Sequence, residues 1–362
     1  MTDPTDKAHP DGRRGRGALS NASGRYEKLE RLRADDGWGA LDEAPPPLRT
    51  TVTIDATRDI IATNKSPDVG FDRSINPYRG CEHGCIYCFA RPTHAWLGLS
   101  PGLDFESRLF AKPNAPALLE EALSHPKYQP GVLAMGTNTD PYQPLERTMR
   151  ITRGVLEVLE RFGHPVAIVT KSQLVARDAD VLGRMAARGL AKVCLSVTTL
   201  DPTLARTMEP RAATPARRLA AIRALVEAGV PTGVMVAPTI PALTDQEMEA
   251  ILEAAAEAGA AEAGYVLLRL PLEIKDLWQE WLAEAYPDRA ARVMKLLREM
   301  RGGKDYDAEW FKRQRGQGPY AELIADRFRK ACARLGLNRT RFALSLDQFR
   351  PPPRKGEQLK LL

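Results

Sequence analysis

Apolar residues gather in short runs along the chain, and the stretches between them repeat with a helical period. The runs occupy residues 131–136, 165–170, 192–197, 230–237 and 264–270, each the length of a strand covered on both faces. Between two of them, Thr214 and Pro215 open a helix and Gly229 closes it, with Leu219, Ile222 and Val226 on one side. Thr244-x-x-Glu247 has the form of a capping box for the next helix, where Met248, Ile251, Leu252 and Ala255 share a face ahead of Gly259. Strand and helix alternating in this way predict an α/β fold with a parallel sheet and helical crossovers. Residues 51–61 alternate like one more strand, and a strand just ahead of Cys81 brings the strand–helix units to six. Functional groups then belong at the C-terminal ends of the strands.

The pattern changes after residue 275. Leu277, Trp278, Trp281, Leu282 and Ala285 form an apolar stripe at helical spacing, as do Val293, Met294 and Leu297, and then Ile324, Phe328, Ala331, Cys332 and Leu335. These stripes predict a helical extension packed on the sheet, with the tryptophans in its core. Ahead of the sheet, residues 1–64 read as a disordered or extended arm with a lead-in strand, rich in Pro, Gly and polar residues, with one short helix near residues 26–33. The division is therefore 1–64 arm, 65–275 catalytic α/β unit, 276–349 basic helical extension and 350–362 flexible tail. No run approaches the ~18 apolar residues of a membrane span, and no secretory signal opens the chain, so a soluble cytoplasmic protein without a membrane partner is expected.

Charge adds one feature. The chain carries 52 Lys+Arg against 46 Asp+Glu, a net charge of +6. Residues 301–362 hold 15 and 7 of these, +8, which leaves the rest at 37 − 39 = −2. The basic loop Phe311-Lys312-Arg313-Gln314-Arg315-Gly316 is the densest part of that excess and predicts phosphate contact.

The candidate chemistry lies at Cys81-Glu82-His83-Gly84-Cys85-Ile86-Tyr87-Cys88, where three thiols stand at C-x3-C-x2-C spacing. Gly80 and Gly84 give the backbone freedom to turn three sulfurs toward one centre. A closed zinc site takes four ligands, so three cysteines leave a position open unless His83 or His94 completes the set. Polar residues follow the strand runs: Thr137, Asn138, Thr139 and Asp140 after the first, Thr170, Lys171 and Ser172 after the second, and Ser196, Thr198 and Thr199 at the third. Lys171 suits a carboxylate, and Asp140 an ammonium or hydroxyl.

The cysteine spacing, with aromatic Tyr87 before the third thiol, resembles the C-x3-C-x-(aromatic)-C loop of the radical S-adenosylmethionine (SAM) superfamily. The resemblance implies a partial (β/α)6 TIM-like barrel. It also implies a 4Fe-4S cluster on Cys81, Cys85 and Cys88, SAM on the free iron, and reductive cleavage to a 5′-deoxyadenosyl radical that abstracts hydrogen. A protein electron donor such as flavodoxin or ferredoxin is implied as well. Thr139-Asp140, Val169-Thr170-Lys171, Leu195-Ser196, Glu209-Pro210 and Gly233-Val234-Met235-Val236-Ala237-Pro238 further resemble the spore photoproduct lyase family, a DNA-repair branch. That likeness implies SAM contacts at Thr139, Asp140, Lys171 and Ser196, an adenine close to the backbone at Ala237, Tyr87 beside the cluster or adenine, and a nucleic-acid substrate, a damaged base in DNA. The same chemistry on RNA or a protein side chain, and a zinc-dependent nucleic-acid-binding module without catalysis, remain open alternatives.

Two positions depart from that family. Its hydrogen-donor cysteine falls at Thr137 and its second tyrosine at Phe89, so either the lesion chemistry differs or another residue closes the cycle. Cys194 shares strand parity with Ser196 and is the candidate thiol, with Tyr87 a second candidate catalytic residue. Finally, Gln358-Leu359-Lys360-Leu361-Leu362 resembles the short peptides that bind the bacterial DNA sliding clamp, with Gln358, Leu359, Leu361 and Leu362 as the contact residues.

Overall fold

The computed structural model describes residues 7–27, apart from residues 9 and 11, and residues 46–352. The clamp-like motif at Gln358–Leu362 and most of the short helix expected near residues 26–33 lie outside the described residues.

Ten strands are described: β1 (Thr51–Ile54), β2 (Ile61–Thr63), β3 (Arg73–Ile75), β4 (Tyr78–Arg79), β5 (Arg108–Ala111), β6 (Leu133–Met135), β7 (Val166–Thr170), β8 (Ala191–Ser196), β9 (Thr232–Thr239) and β10 (Glu262–Leu267). The main sheet runs β10-β9-β8-β7-β6-β3-β2, and all its pairs are parallel except β2 with β3. Its six parallel strands are the expected six units, with β3 the strand ahead of the cysteines. Among the described residues β10 and β2 do not pair, so the architecture is α/β with an open side, a partial barrel. Helices α1 (Ala115–Leu123), α2 (Ile151–Phe162), α3 (Ala179–Ala187), α4 (Pro215–Glu227) and α5 (Met248–Glu257) make the crossovers.

Strand parity sorts the side chains. Val166 and Ile168 of β7, Val193 and Leu195 of β8, and Val234 and Val236 of β9 are fully buried in one core with Leu156, Leu182, Ile222 and Ile251 of the crossover helices. Each such side chain contributes about 1.5–3 kcal/mol of burial. The alternate positions, Val169 and Lys171, Cys194 and Ser196, and Met235 and Ala237, face the opposite side, inside the barrel. On α4 the inward face is Arg218, Ala221, Ile222 and Leu225, so Leu219 and Val226 sit at its margin.

The extension forms α6 (Ile274–Ala285), α7 (Pro287–Glu299), the single turn α8 (Lys312–Arg315) and α9 (Pro319–Leu335). Trp278, Trp281 and Leu282 of α6 and Val293 and Leu297 of α7 are core, as expected, and they share that second core with Ile86 and Tyr87 of the cysteine loop. Helix α9 lies on α5, where Arg327 pairs with Glu249.

Three local expectations differ from the structure. Residues 51–61 are not one strand: β1 pairs with β5 in a separate three-stranded sheet, while β2 begins at Ile61 on the edge of the main sheet. The capping box does not form, because the Thr244 hydroxyl accepts the Ile240 N–H at 2.9 Å and Glu247 turns away to the Thr199 hydroxyl and the Leu200 N–H. The arm is not free of the body. Arg16, Gly17, Ala18, Leu19 and Ser20 are buried, and the Gly17 and Ala18 N–H groups donate to the Glu106 carboxylate at 2.9 Å. Two buried apolar residues and a fully enclosed carboxylate acceptor supply what the composition of the arm as a whole does not.

Candidate cluster and cofactor site

The cysteine loop follows β4 and lies across the C-terminal ends of the strands. Gly80 and Gly84 both have positive φ, +75° and +68°, and a Cβ on Gly84 would stand 2.7 Å from a Glu106 oxygen, so the loop needs glycine there. Side chains distant in sequence brace it. The Gln143 amide accepts the Glu82 N–H at 2.9 Å and donates to Gly80 O at 3.2 Å. The fully buried Arg91 guanidinium donates to Cys85 O at 2.9 Å and Gly84 O at 3.1 Å and is charge-paired with Glu106.

The three thiols are free and enclosed: Cys81 and Cys85 are buried and Cys88 is nearly so. Burial pushes all three thiols above their ordinary range; for Cys85, Glu209 adds to that push and Lys171 opposes it. Thiols in this state give up their protons when a metal centre binds. Among the described residues no group of three His, Cys, Asp or Glu side chains is gathered as a single-ion site. His83 and His94 have protein partners of their own: His83 Nδ1 stands 3.4 Å from Asp140, and the His94 Nε2 ring nitrogen 2.9 Å from Arg108 O. Both are buried, with their ring nitrogens turned to these partners. Three enclosed thiols with one open position are a donor set that fits a cubane cluster.

Opposite the loop, the strand ends bring several expected residues together. Lys171 Nζ donates to Ser196 Oγ at 3.1 Å, and Ser196 Oγ donates to Ala237 O at 3.0 Å. The Lys171 ammonium also stands 5.6 Å from the Tyr87 ring centroid. The register explains the grouping: Thr170 pairs with Leu195 and Ser196 with Met235, so Lys171 and Ser196 fall at one level of the inner face and Ala237 lies two residues beyond it, its carbonyl within reach of Ser196 Oγ.

Thr139 and Asp140 are committed differently. Thr139 donates to Tyr78 O at 3.0 Å. Asp140 accepts from the Thr170 hydroxyl at 2.7 Å, the Lys171 N–H at 2.8 Å and the Tyr142 N–H at 2.8 Å. Burial works to raise its pKa, but His83 and these donors prevail and hold it at about 2. Asp140 therefore fastens the loop after β6 to the end of β7, and its lone pairs are spent on the protein.

Tyr87 points inward and donates to Glu209, with the Thr198 hydroxyl 3.2 Å away. Glu209 is 2% exposed; it accepts from Thr198 at 2.7 Å and pairs with buried Arg218, which also donates to Ser196 O at 2.9 Å. This Tyr87–Glu209–Arg218 network was missed as a site. Its one signal in the sequence was Glu209-Pro210, which marked a likeness but gave no role. Cys194 lies on the inner face one step below Ser196, beside Gly233; burial, helped by Glu262, raises its thiol to about 11. The structure does not bring it to the cysteine loop.

The fold and the loop together define an enzyme class, and comparison with known proteins agrees. The Radical SAM superfamily model matches residues 75–255, and the chain belongs to that superfamily. An uncharacterized protein of Mycobacterium tuberculosis is 38% identical over 242 residues, 66% of this chain and 71% of its own. An uncharacterized protein of Methanocaldococcus jannaschii is 30% identical over 173 residues, 48% of this chain and 62% of its own. Among solved structures, spore photoproduct lyase complexed with dinucleoside spore photoproduct superposes with a TM-score of 0.51 at 16% identity, over 79% of this chain and 80% of that one. At that identity the likeness is one of fold. Among the described residues no helix is long and apolar enough to cross a membrane.

Proposed function

We propose that Cys81, Cys85 and Cys88 hold a 4Fe-4S cluster, that SAM lies between it and the strand ends, and that the radical so formed abstracts hydrogen from a nucleic acid, a lesion-bearing base in DNA. One observation carries the cofactor part: Lys171, Ser196, Ala237 O and Tyr87 form one linked cluster at the strand ends, beside the cysteine loop. Lys171 supplies a cation for the methionine carboxylate, and Ser196 Oγ and Ala237 O supply hydrogen-bonding groups for the nucleoside. When bound, the cluster supplies the one electron that cleaves the sulfonium. The chain's own groups orient the cofactor and enclose the reaction. The Tyr87–Glu209 hydrogen bond fixes the phenol and gives its proton an acceptor.

The substrate part rests on the fold shared with spore photoproduct lyase, solved with a dinucleoside photoproduct; a damaged base would reach the cofactor by flipping out of the stack. With no thiol at position 137, the lesion chemistry or its hydrogen donor differs from that of the neighbour. Anaerobically reconstituted protein should hold four iron and four sulfide, about one cluster per chain, and with dithionite and SAM should release 5′-deoxyadenosine. Addition of lesion-bearing oligonucleotides should stimulate that release and alter the base. Cys85→Ala should abolish it; iron content unchanged in a variant lacking all three thiols refutes the assignment. Because Ile86 carries the core through this loop, these variants are to be checked for folding by circular dichroism. We also infer from the sequence pattern alone that Gln358, Leu359, Leu361 and Leu362 bind the sliding clamp. A synthetic peptide of residues 350–362 that shows no clamp binding removes that reading.

A further inference from the structure

The cysteine loop borders two different sides of the barrel. Among the described residues, the gap in the sheet lies between β10 and β2. Phe89, exposed just after the third cysteine, lies under the Arg269 guanidinium at 4.9 Å and marks the edge of the loop turned toward β10. The other edge of the loop, Glu82 and His83, lies against segments that follow β6, β7 and β8. There two cavities share Arg211 as a common wall: His83, Arg147 and Arg217 line one, and Arg49 and Glu82 line the other.

The charge on this rim is not cancelled within the described chain. Arg49, Arg147 and Arg217 are exposed. Their side chains make no ion pair or hydrogen bond among the described residues, unlike those of the 312–315 turn. Arg211 is held to the loop, its N–H donating to His83 O at 3.2 Å and its guanidinium to Glu82 at 2.8 Å. Glu82 and His83 stand between Cys81 and Cys85 in the sequence, so the arginines surround the part of the surface that is covalently continuous with two of the thiols.

We propose that this arginine rim is the docking surface for a small acidic one-electron carrier protein, of the flavin or iron–sulfur class, that reduces the centre held by Cys81, Cys85 and Cys88. The proposal rests on the radical SAM reading above, which consumes one electron for each SAM cleaved. The docking step moves that electron alone: the carrier is oxidised by one electron, the cluster is reduced by one, and no proton or group changes place. The electron then passes to the sulfonium, whose carbon–sulfur bond breaks to give methionine and the 5′-deoxyadenosyl radical. Tunnelling weakens steeply with distance, so a carrier must meet the protein beside the thiols. It must also leave after each transfer. Encounters of that kind use small interfaces steered by charge, and exposed, unpaired arginines suit them. A nucleic-acid strand is the rival polyanion, and the test separates the two.

The test uses the full-length reconstituted enzyme and Arg147→Glu/Arg217→Glu, with 5′-deoxyadenosine release driven either by dithionite or by reduced flavodoxin. The expected result is a flavodoxin-driven rate at least about tenfold lower in the variant, with the wild type's fall in rate with salt flattened, while the dithionite-driven rate stays within about twofold. Equal rates with flavodoxin overturn the docking surface and leave the radical reading intact. A parallel loss with both reductants overturns it too, since the rim then serves the chemistry or the fold. Loss of oligonucleotide affinity with a normal flavodoxin rate reassigns the rim to nucleic acid. A wild type that releases no 5′-deoxyadenosine with dithionite defeats the radical reading and this proposal with it.

Discussion

Lys171 shows how a single side chain ties strand register to cofactor chemistry. Its position at the end of β7 puts it level with Ser196, and both its bond to Ser196 Oγ and its place over the Tyr87 ring follow from that register. Lys171→Ala should weaken SAM binding by about 1.5–3 kcal/mol, the worth of a hydrogen bond to a charged group, or roughly 10- to 150-fold in Kd. Unchanged affinity by calorimetry would show that Lys171 serves only the local network. Glu209 is the opposite case, a carboxylate enclosed with its partners Arg218, Tyr87 and Thr198. Glu209→Ala leaves the Arg218 charge buried without its counterion and should cost about 3–5 kcal/mol in urea denaturation; a loss below 1 kcal/mol would mean that water or a neighbour replaces it. Sequence made Lys171 and Ser196 legible because parity and strand ends are local properties. It did not show what occupies Asp140, because the donors that fill that carboxylate arrive from Thr170 and Lys171, about thirty residues downstream.

Among the elements, the strands and crossover helices were legible because their apolar period is set by the faces they cover, whereas the arm was not. Its burial depends on contacts with Glu106 and α6 that composition cannot express. Gly17 shows how close that contact is: a Cβ there would lie 1.9 Å from Gly84 O, on the loop between the first two cysteines. Gly17→Ala must push the arm or the loop aside, so its iron content after reconstitution should fall well below that of the wild type while far-ultraviolet circular dichroism is unchanged. Full iron occupancy would mean that the arm only covers the loop. The junction of α2 and β7 carries a pH dependence. His164 is fully buried, its Nε2 lies 2.8 Å from the Tyr128 hydroxyl, and burial lowers its pKa to about 4. Because the folded value lies below the ordinary 6.5, the unfolded chain takes up the proton first. The stabilisation is complete above pH 6.5 and is lost as pH falls toward 4; the span of the shift corresponds to about 3 kcal/mol. His164→Gln should remove that component, and unfolding curves between pH 7 and 4.5 that stay parallel to those of the wild type would contradict it.

At the scale of the whole molecule, net charge alone does not say which basic side chains are free to meet a polyanion. The C-terminal excess of +8 pointed to residues 311–316, yet the structure spends those charges internally. Lys312 pairs with Glu309 at 2.7 Å, Arg315 stands 4.1 Å from the Tyr265 ring centroid, and Arg313 makes a two-pronged contact with Asp68, at 2.7 Å for its Nε. The first pair is exposed and adds little. The last is different, because Asp68 is 2% exposed and Arg313 16%, and the contact joins the extension to the segment just ahead of β3. Arg313 is thus a tie between the extension and the segment ahead of β3, and its charge is spent on Asp68. Reversing it in Arg313→Glu should therefore destabilise the protein by about 2 kcal/mol or more, through a lost charged bidentate pair and a new repulsion against Asp68. The exchange Asp68→Arg/Arg313→Glu should recover part of that loss, which a double-mutant cycle reads directly. Additive losses in the cycle would show the pair to be energetically idle and would return Arg313 to the pool of charges open to a phosphate backbone.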